Sequence, residues 1–292
     1  MDSFQEFNND YIKFEKNILK DDNINHKVSK KYDCFVAGSD QIWNPDYKLL
    51  SSPCSFLSFV EGKKKVAVAA SFGVDAIKEQ QTKTQYMKLL NNMDAISVRE
   101  ESGVDIVKEL IDKEVPRIID PTFMLSKEEW LKIAKKPKFI GTEEYIFSYF
   151  LGSHSNEEMI QLEEYAKKEQ YRLIVLEGDT CQMGVCSENE FVVNPSEFVW
   201  LVHNAKKVIT DSFHAIAFSL IFKKEFVSIP RNVWKSDMST RMLNIARMFD
   251  IENIISSECN FEERAIVDYD IYSKHLLIEQ EKFYTFINDN IG

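Results

Sequence analysis

Short apolar runs alternate with amphipathic stretches along the whole chain, and this alternation most limits how it can fold. The runs lie at residues 33–37, 65–70, 95–98, 117–119, 145–150, 172–176, 207–209 and 226–229. Runs this short, bounded by turn residues and separated by helical patterns, read as strands of parallel sheets in an α/β protein. No internal repeat or low-complexity segment interrupts the pattern.

The helices between the runs carry start signals. Ser126 with Glu129, Ser155 with Glu158, and Asn194 with Glu197 have the spacing of a capping box. In that motif the first side chain accepts from the third helical amide and the third side chain reaches back. Pro195 adds a residue preorganised for a first turn. A further helix is expected to start at Asp211 as its cap, because Phe213, Ile216, Ala217, Leu220 and Ile221 fall on one face. The tail 269–287 also reads as an amphipathic helix. Residues 135–144, with Lys-Lys-Pro and then Gly-Thr, read as a linker. The expected organisation is two doubly wound lobes facing across a cleft. An N-terminal lobe would span 1–135, a C-terminal lobe 145–268, and a last helix, 269–292, would pack back across them.

Composition excludes several classes. A length of 292 residues with 44% hydrophobic content can fill one large or two medium cores. The net charge is −11, and the densest basic tract is only Lys63-Lys64-Lys65, so a nucleic-acid partner is not expected. The start MDSFQEFNND has neither the basic nor the apolar part of a signal peptide, and no stretch reaches the roughly 20 apolar residues of a bilayer span. A cytoplasmic location follows as the expectation. Cys34, Cys54, Cys181, Cys186 and Cys259 are sparse; Cys181 and Cys186 lack a second pair to complete a zinc site and read as reduced thiols.

In open parallel sheets, ligands sit beyond the carboxyl ends of strands. The residues that follow each run are therefore the candidates. Gly38, Ser39 and Asp40 follow the first, within FVAGSDQIWNPDY. Ser71, Phe72 and Gly73 follow the second, Arg99 and Glu100 the third, and Asp120 with Pro121 the fourth. In the second half come Gly152-Ser153-His154, Glu177-Gly178-Asp179, Thr210-Asp211-Ser212-Phe213-His214, and Arg231. Asp40 alone fits a turn as well as a site, since turns favour Gly, Ser and Asp. Arg99 either pairs internally with Glu100 or Asp120 or points into the crevice, where a guanidinium suits a carboxylate or phosphate. His214 lies in the first turn of its helix, at the edge of the apolar face, where amides and the helix dipole favour an anion. It reads either as a proton-transfer group or as a packing residue. His26, His154, His203 and His275 read as structural. The chain has no GxGxxG, Walker A, HExxH or GxSxG motif, and no DxD-like pair after a strand.

The ordered segments YDCFVAGSDQIWNP, SFG, SVREESG, IIDPTFML, VITDSFHAIAFSLIFKKEF and RMLNIARMFDI resemble the polysaccharide pyruvyl transferase family over roughly residues 30 to 255. The resemblance implies a two-lobed, GT-B-like fold of Rossmann-like lobes with the site between them. It implies transfer of a pyruvyl group from phosphoenolpyruvate to two hydroxyls of a glycan sugar, giving a ketal, with no metal or organic cofactor. The roles it suggests are His214 as acid or base, Arg99 as stabiliser of the donor's charge, and Asp40 as the group that orients or deprotonates the acceptor hydroxyl. Gly38, Ser39, Trp43, Asn44, Ser71, Ser97, Asp211, Ser212 and Arg231 complete the candidate binding set. Trp43 either stacks on a sugar or plugs the turn against the core. Many relatives carry arginine at Ser212, so Arg99 or Arg231 would have to supply that cation. Relatives also begin with a further strand, an Asn/Gly-containing loop and a helix before the segment matching 4–18, and this chain is expected to lack that unit. A lipid-linked acceptor and peripheral association with a membrane are compatible with this chemistry. Two other readings stay open: a metal-independent glycosyltransferase using a nucleotide sugar, with a base pocket near 177–179 or 194–197, and a non-catalytic glycan-binding relative.

Overall fold

The computed structural model describes residues 3–15, 26–47, 52–152, 154–177, 193–230, 239–256 and 260–292. The chain divides into two units, one formed by Met1–Lys13 with Leu125–Ser273 and the other by Phe14–Met124 with Lys274–Gly292. Helix α1 (Ser3–Tyr11) belongs to the former.

The Phe14–Met124 unit contains the first sheet. Strands β1 (Cys34–Ala37), β2 (Lys64–Ala70) and β3 (Ala95–Val98) pair in that order, all parallel. Helix α2 (Gln80–Leu90) connects β2 to β3, and α3 (Glu101–Ile111) follows β3. β2 is the central strand, and its last five residues are buried, as a strand covered on both faces requires. One face meets Trp43, Phe56, Phe72, Tyr86, Leu90 and Ile106. Trp43 stacks on Phe56 at 4.9 Å between centroids. Burying each such aromatic is worth about 1.5–3 kcal/mol before entropy is counted. Val66, Val68 and Ile118 form the other core, covered by Phe286 with Phe283 and Ile287 from the end of the chain.

Residues 117–119 do not form the expected strand. Arg117 makes an isolated parallel bridge to Val98, with Val98 N–H donating to Pro116 O at 3.1 Å and Ile118 N–H to Val98 O at 2.9 Å. The segment runs from Pro116 to Pro121, and neither proline has an amide hydrogen to extend a ladder.

In the other unit, α4 (Lys127–Leu131) precedes the second sheet. That sheet holds β4 (Tyr145–Phe150), β5 (Arg172–Glu177), β6 (Lys207–Thr210) and β7 (Glu225–Ser228), parallel in the order β5-β4-β6-β7. Helices α5 (Asn156–Lys168), α6 (Pro195–Asn204) and α7 (Phe213–Ile221) supply the crossovers. Then comes α8 (Ser239–Phe249), and α9 (Tyr269–Asn290) begins in this unit and from Lys274 onward belongs to the Phe14–Met124 unit. β4 and β6 are buried, with Ile146, Phe150, Ile209, Leu162 and Ala166 on one side. Phe147 and Tyr149 meet Phe198 on the other side, and Phe198 in turn meets Phe218. The order starts outward from β4 in one direction and continues through β6 in the other, so the loops after β4 and β6 are neighbours at the carboxyl edge.

Candidate functional site

Each sheet gathers polar residues at its carboxyl edge. In the first, the chain leaves β1 through Gly38, whose φ is +120° and where a Cβ would stand 2.1 Å from Val68 O. Only glycine allows that approach. Asp40 follows in the left-handed region, at φ 55°. Its carbonyl accepts from Ile42 N–H at 2.7 Å and Ser71 N–H at 2.9 Å, while Trp43 N–H donates to Ser71 O at 3.1 Å. The loop is thus pinned to the residue that ends β2. Gly73 closes it from the other side, where a Cβ would meet the Gln41 and Asn44 side chains at 2.2 and 2.6 Å.

Several expected binding residues are absorbed by this pinning. Trp43 is 0% exposed, and its indole N–H donates to Ser55 O at 3.1 Å. It plugs the turn, so the expectation of a sugar-stacking platform is corrected. Asn44 is buried, donates to Gln41 Oε1 at 2.6 Å and accepts from Asp46 N–H at 2.9 Å. Ser71 accepts from Gly73 N–H at 3.1 Å. Ser97 donates to Ala67 O at 2.9 Å and accepts from Ala69 N–H at 3.1 Å. Ala69 has φ 48° where the β2–β3 register shifts, and Ser97 satisfies the amide that this irregularity takes out of the ladder. Asn44, Ser71 and Ser97 thus all hold hydrogen bonds within the protein. Gly38 and Asp40 are exposed, and Ser39 is half-buried.

Arg99 takes the internal alternative. Its side chain is 3% exposed, with Nη1 2.8 Å from Asp120, Nη2 3.2 Å from Asp40 and Nε 3.7 Å from Glu100. Burial opposes its charge, and Asp120, Glu100 and Asp40 together outweigh that, so its pKa is held above the usual value. Each carboxylate is itself anchored. Asp120 accepts from Thr122 N–H at 2.9 Å and Thr122 Oγ1 at 2.7 Å, an Asx turn that Asp-Pro-Thr favours. Glu100 accepts from Phe72 N–H at 3.0 Å. The exception is Asp40, whose side chain is 54% exposed although one oxygen meets Arg99. Of the two alternatives expected for Arg99, the internal pairing is the one formed, and its fork meets Asp40.

At the second sheet, Asp211 is not a helix cap. Ser212 is the N-cap of α7, without a side-chain cap bond, and its own N–H donates to Thr210 Oγ1 at 3.0 Å. The helix starts one residue later than expected because the Asp211 carboxylate is drawn across to β4, accepting from Leu151 N–H at 2.6 Å and Gly152 N–H at 2.7 Å. Its side chain is 1% exposed. Asp211 and Ser212 thus both bond to the chain at this edge. His214, the second residue of α7, is half-buried and lies 5.3 Å from the Phe213 ring.

His154, expected to be structural, lies against this cluster. Its Nε2 stands 4.0 Å from Asp211 and its Nδ1 3.5 Å from Glu158. Its place in the strand-end segment after β4, four residues before a capping-box glutamate, is the signal for it. His203 is half-buried near the end of α6, its ring 5.0 Å from Phe222, and burial followed by Lys127 and Lys224 lowers its pKa. Of the residues weighed for a nucleotide base, Asn194 and Glu197 are occupied by their own capping box, and Gly178 and Asp179 lie outside the described residues. Arg231, Cys181, Cys186 and Cys259 lie outside them too. Among the described residues, no group of three or more His, Cys, Asp or Glu could hold a metal ion, and no helix is long and apolar enough to cross a membrane.

A family model for polysaccharide pyruvyl transferase matches residues 2–232. No curated protein matches the chain significantly. Two solved structures of the wall teichoic acid polymerase TagF, both of a histidine-to-asparagine variant and one soaked with CDPG, are similar at 13% identity. Their TM-scores are 0.45 and 0.43, and the matches cover 88% of this chain and 67% and 68% of theirs.

Proposed function

The chain belongs to the polysaccharide pyruvyl transferase family, and from that premise we propose that it moves a pyruvyl group from phosphoenolpyruvate to two hydroxyls of a glycan sugar in polysaccharide biosynthesis. The observation that carries this reading is the accessibility of His214. Thr210, Asp211, Ser212 and Phe213 before it are buried, whereas His214 stays half-buried in the first turn of α7. A partly open imidazole at the carboxyl end of a parallel strand is placed to give and take protons.

The chemistry runs as an addition and an elimination. His214 gives a proton to the methylene carbon of the enol, making it a methyl group. The first sugar hydroxyl forms a C–O bond to the adjacent carbon and loses its proton. The phosphate leaves with the electrons of its own C–O bond. The second hydroxyl then bonds to the same carbon, loses its proton and closes the ketal. Asp40, with its exposed carboxylate steadied by Arg99, orients the acceptor hydroxyl, and Gly38 and Ser39 flank it. The phosphate is assigned to the amides at the start of α7, with Arg231 as a further cation. The two parallel sheets are read as Rossmann-like lobes of a GT-B-like enzyme, working in the cytoplasm on a free or lipid-linked glycan.

Titration calorimetry with phosphoenolpyruvate, beside a turnover assay on His214→Ala, tests the reading. Saturable binding by the wild type and a turnover loss of ~10²–10⁴-fold in a folded His214→Ala protein are expected. Near-normal turnover in that variant would remove His214 from the chemistry. No phosphoenolpyruvate binding by folded wild type would point to a non-catalytic glycan binder, and binding of a nucleotide sugar instead would point to a glycosyltransferase.

A further inference from the structure

His154 lies between two carboxylates. Its side chain is 2% exposed, its ring packs 4.4 Å from Phe150, and neither ring nitrogen has a hydrogen-bond partner among the described residues. Nδ1 faces Glu158 of α5 at 3.5 Å, and Nε2 faces Asp211 at 4.0 Å. Both neighbours are acceptors with other work. Glu158 receives Ser155 N–H at 2.7 Å in the capping box of α5, and Asp211 holds the Leu151 and Gly152 amides.

A neutral imidazole has one N–H and one lone pair. Either tautomer would serve one carboxylate and turn a lone pair toward the other, inside a site closed to water. Lone pair against carboxylate in a low-dielectric setting is a costly arrangement. Two donors remove the conflict. We propose that His154 is a positioning residue that donates from both ring nitrogens, to Glu158 and to Asp211, and so fixes the turn between β6 and α7 that carries His214. The link to catalysis rests on the transferase reading; the double donation does not.

The full chain labelled with ¹⁵N-histidine tests this. Long-range proton–nitrogen spectra report how many ring nitrogens of each of the five histidines carry protons. His154→Gln identifies the His154 signal by its loss. Two protonated nitrogens in the wild type at neutral pH, and a single-proton tautomer in Glu158→Gln, are expected. A single-proton tautomer in the wild type overturns the proposal. Should His154→Gln fail to fold, the signal that moves in Glu158→Gln identifies the residue instead. Amide exchange gives a second readout: Leu151 and Gly152 should exchange about tenfold faster in His154→Gln and little faster in Glu158→Gln. Unchanged exchange in folded His154→Gln also overturns it. If the wild type transfers pyruvate, His154→Gln should lower kcat with little change in KM. If it transfers none, the functional reading falls and the two spectroscopic readouts still decide the role of His154.

Discussion

At the carboxyl edge of the first sheet a buried cation is held by side-chain carboxylates, and at the edge of the second a buried anion is held largely by backbone amides. Arg99 meets Asp120, Asp40 and Glu100. Asp211 meets Leu151 and Gly152 N–H groups. The two solutions leave different things at the surface. Because the Arg99 fork reaches three carboxylates, one of them, Asp40, can stand half in solvent and still be oriented. The Asp211 carboxylate is enclosed, and what its loop offers outward is the neighbouring His214.

Arg99→Ala probes the contrast hardest. It strands Asp120 and Glu100 as buried charges, and a loss of about 3–5 kcal/mol is expected. Urea unfolding followed by circular dichroism measures it, and a loss near zero would mean the carboxylates find water instead. Arg99→Lys should recover only part, because a point charge cannot fork between Asp120 and Asp40. Asp211→Ala should cost less, about 1.5–3 kcal/mol, since amides near a loop can rehydrate where charges cannot. If Asp211→Ala proved the costlier of the two, the second edge would be the more tightly built. Asp40→Asn separates stability from activity: unfolding should shift by less than about 1 kcal/mol, while turnover falls. Equal effects on both would make Asp40 structural.

The smallest effect concerns alkaline pH. Burial first, with nearby glutamates second for Tyr165, raises Tyr165 and Tyr269 to about 12. Unfolded tyrosines ionise near their usual 10.0, so the unfolded chain releases these protons first. A folded value above the unfolded one gives stability that is whole below pH 10 and is lost as pH rises toward about 12. Both residues lie in the unit with the second sheet. Tyr165→Phe and Tyr269→Phe should flatten the slope, read by tyrosinate absorbance during urea unfolding.

Much of the fold was legible. The three capping boxes at Ser126, Ser155 and Asn194 form with both reciprocal bonds. Seven of the apolar runs are strands to within a residue at either end, because a run bounded by turn residues has few other uses. The candidate site was legible by location and less so by role. Trp43 after a glycine turn looks like a platform until Phe56 is found against its face. Ser97 looks like a ligand contact until the displaced amide of Ala69 appears beside it.

The sequence by itself determined what depends on neighbours a few residues away: seven of the strand runs and the capping-box helix starts at Ser126, Ser155 and Asn194. Only the tertiary structure decided which strand-end residues neutralise one another. Arg99 meets Asp120 across 21 residues and Asp40 across 59, and Asp211 meets Gly152 across 59. Parallel pairing brings those loops to one edge, and no local spacing encodes it. The choice between an arginine that grips a ligand and one that holds an aspartate is made by the charges already there, because a buried guanidinium must be matched where it lies.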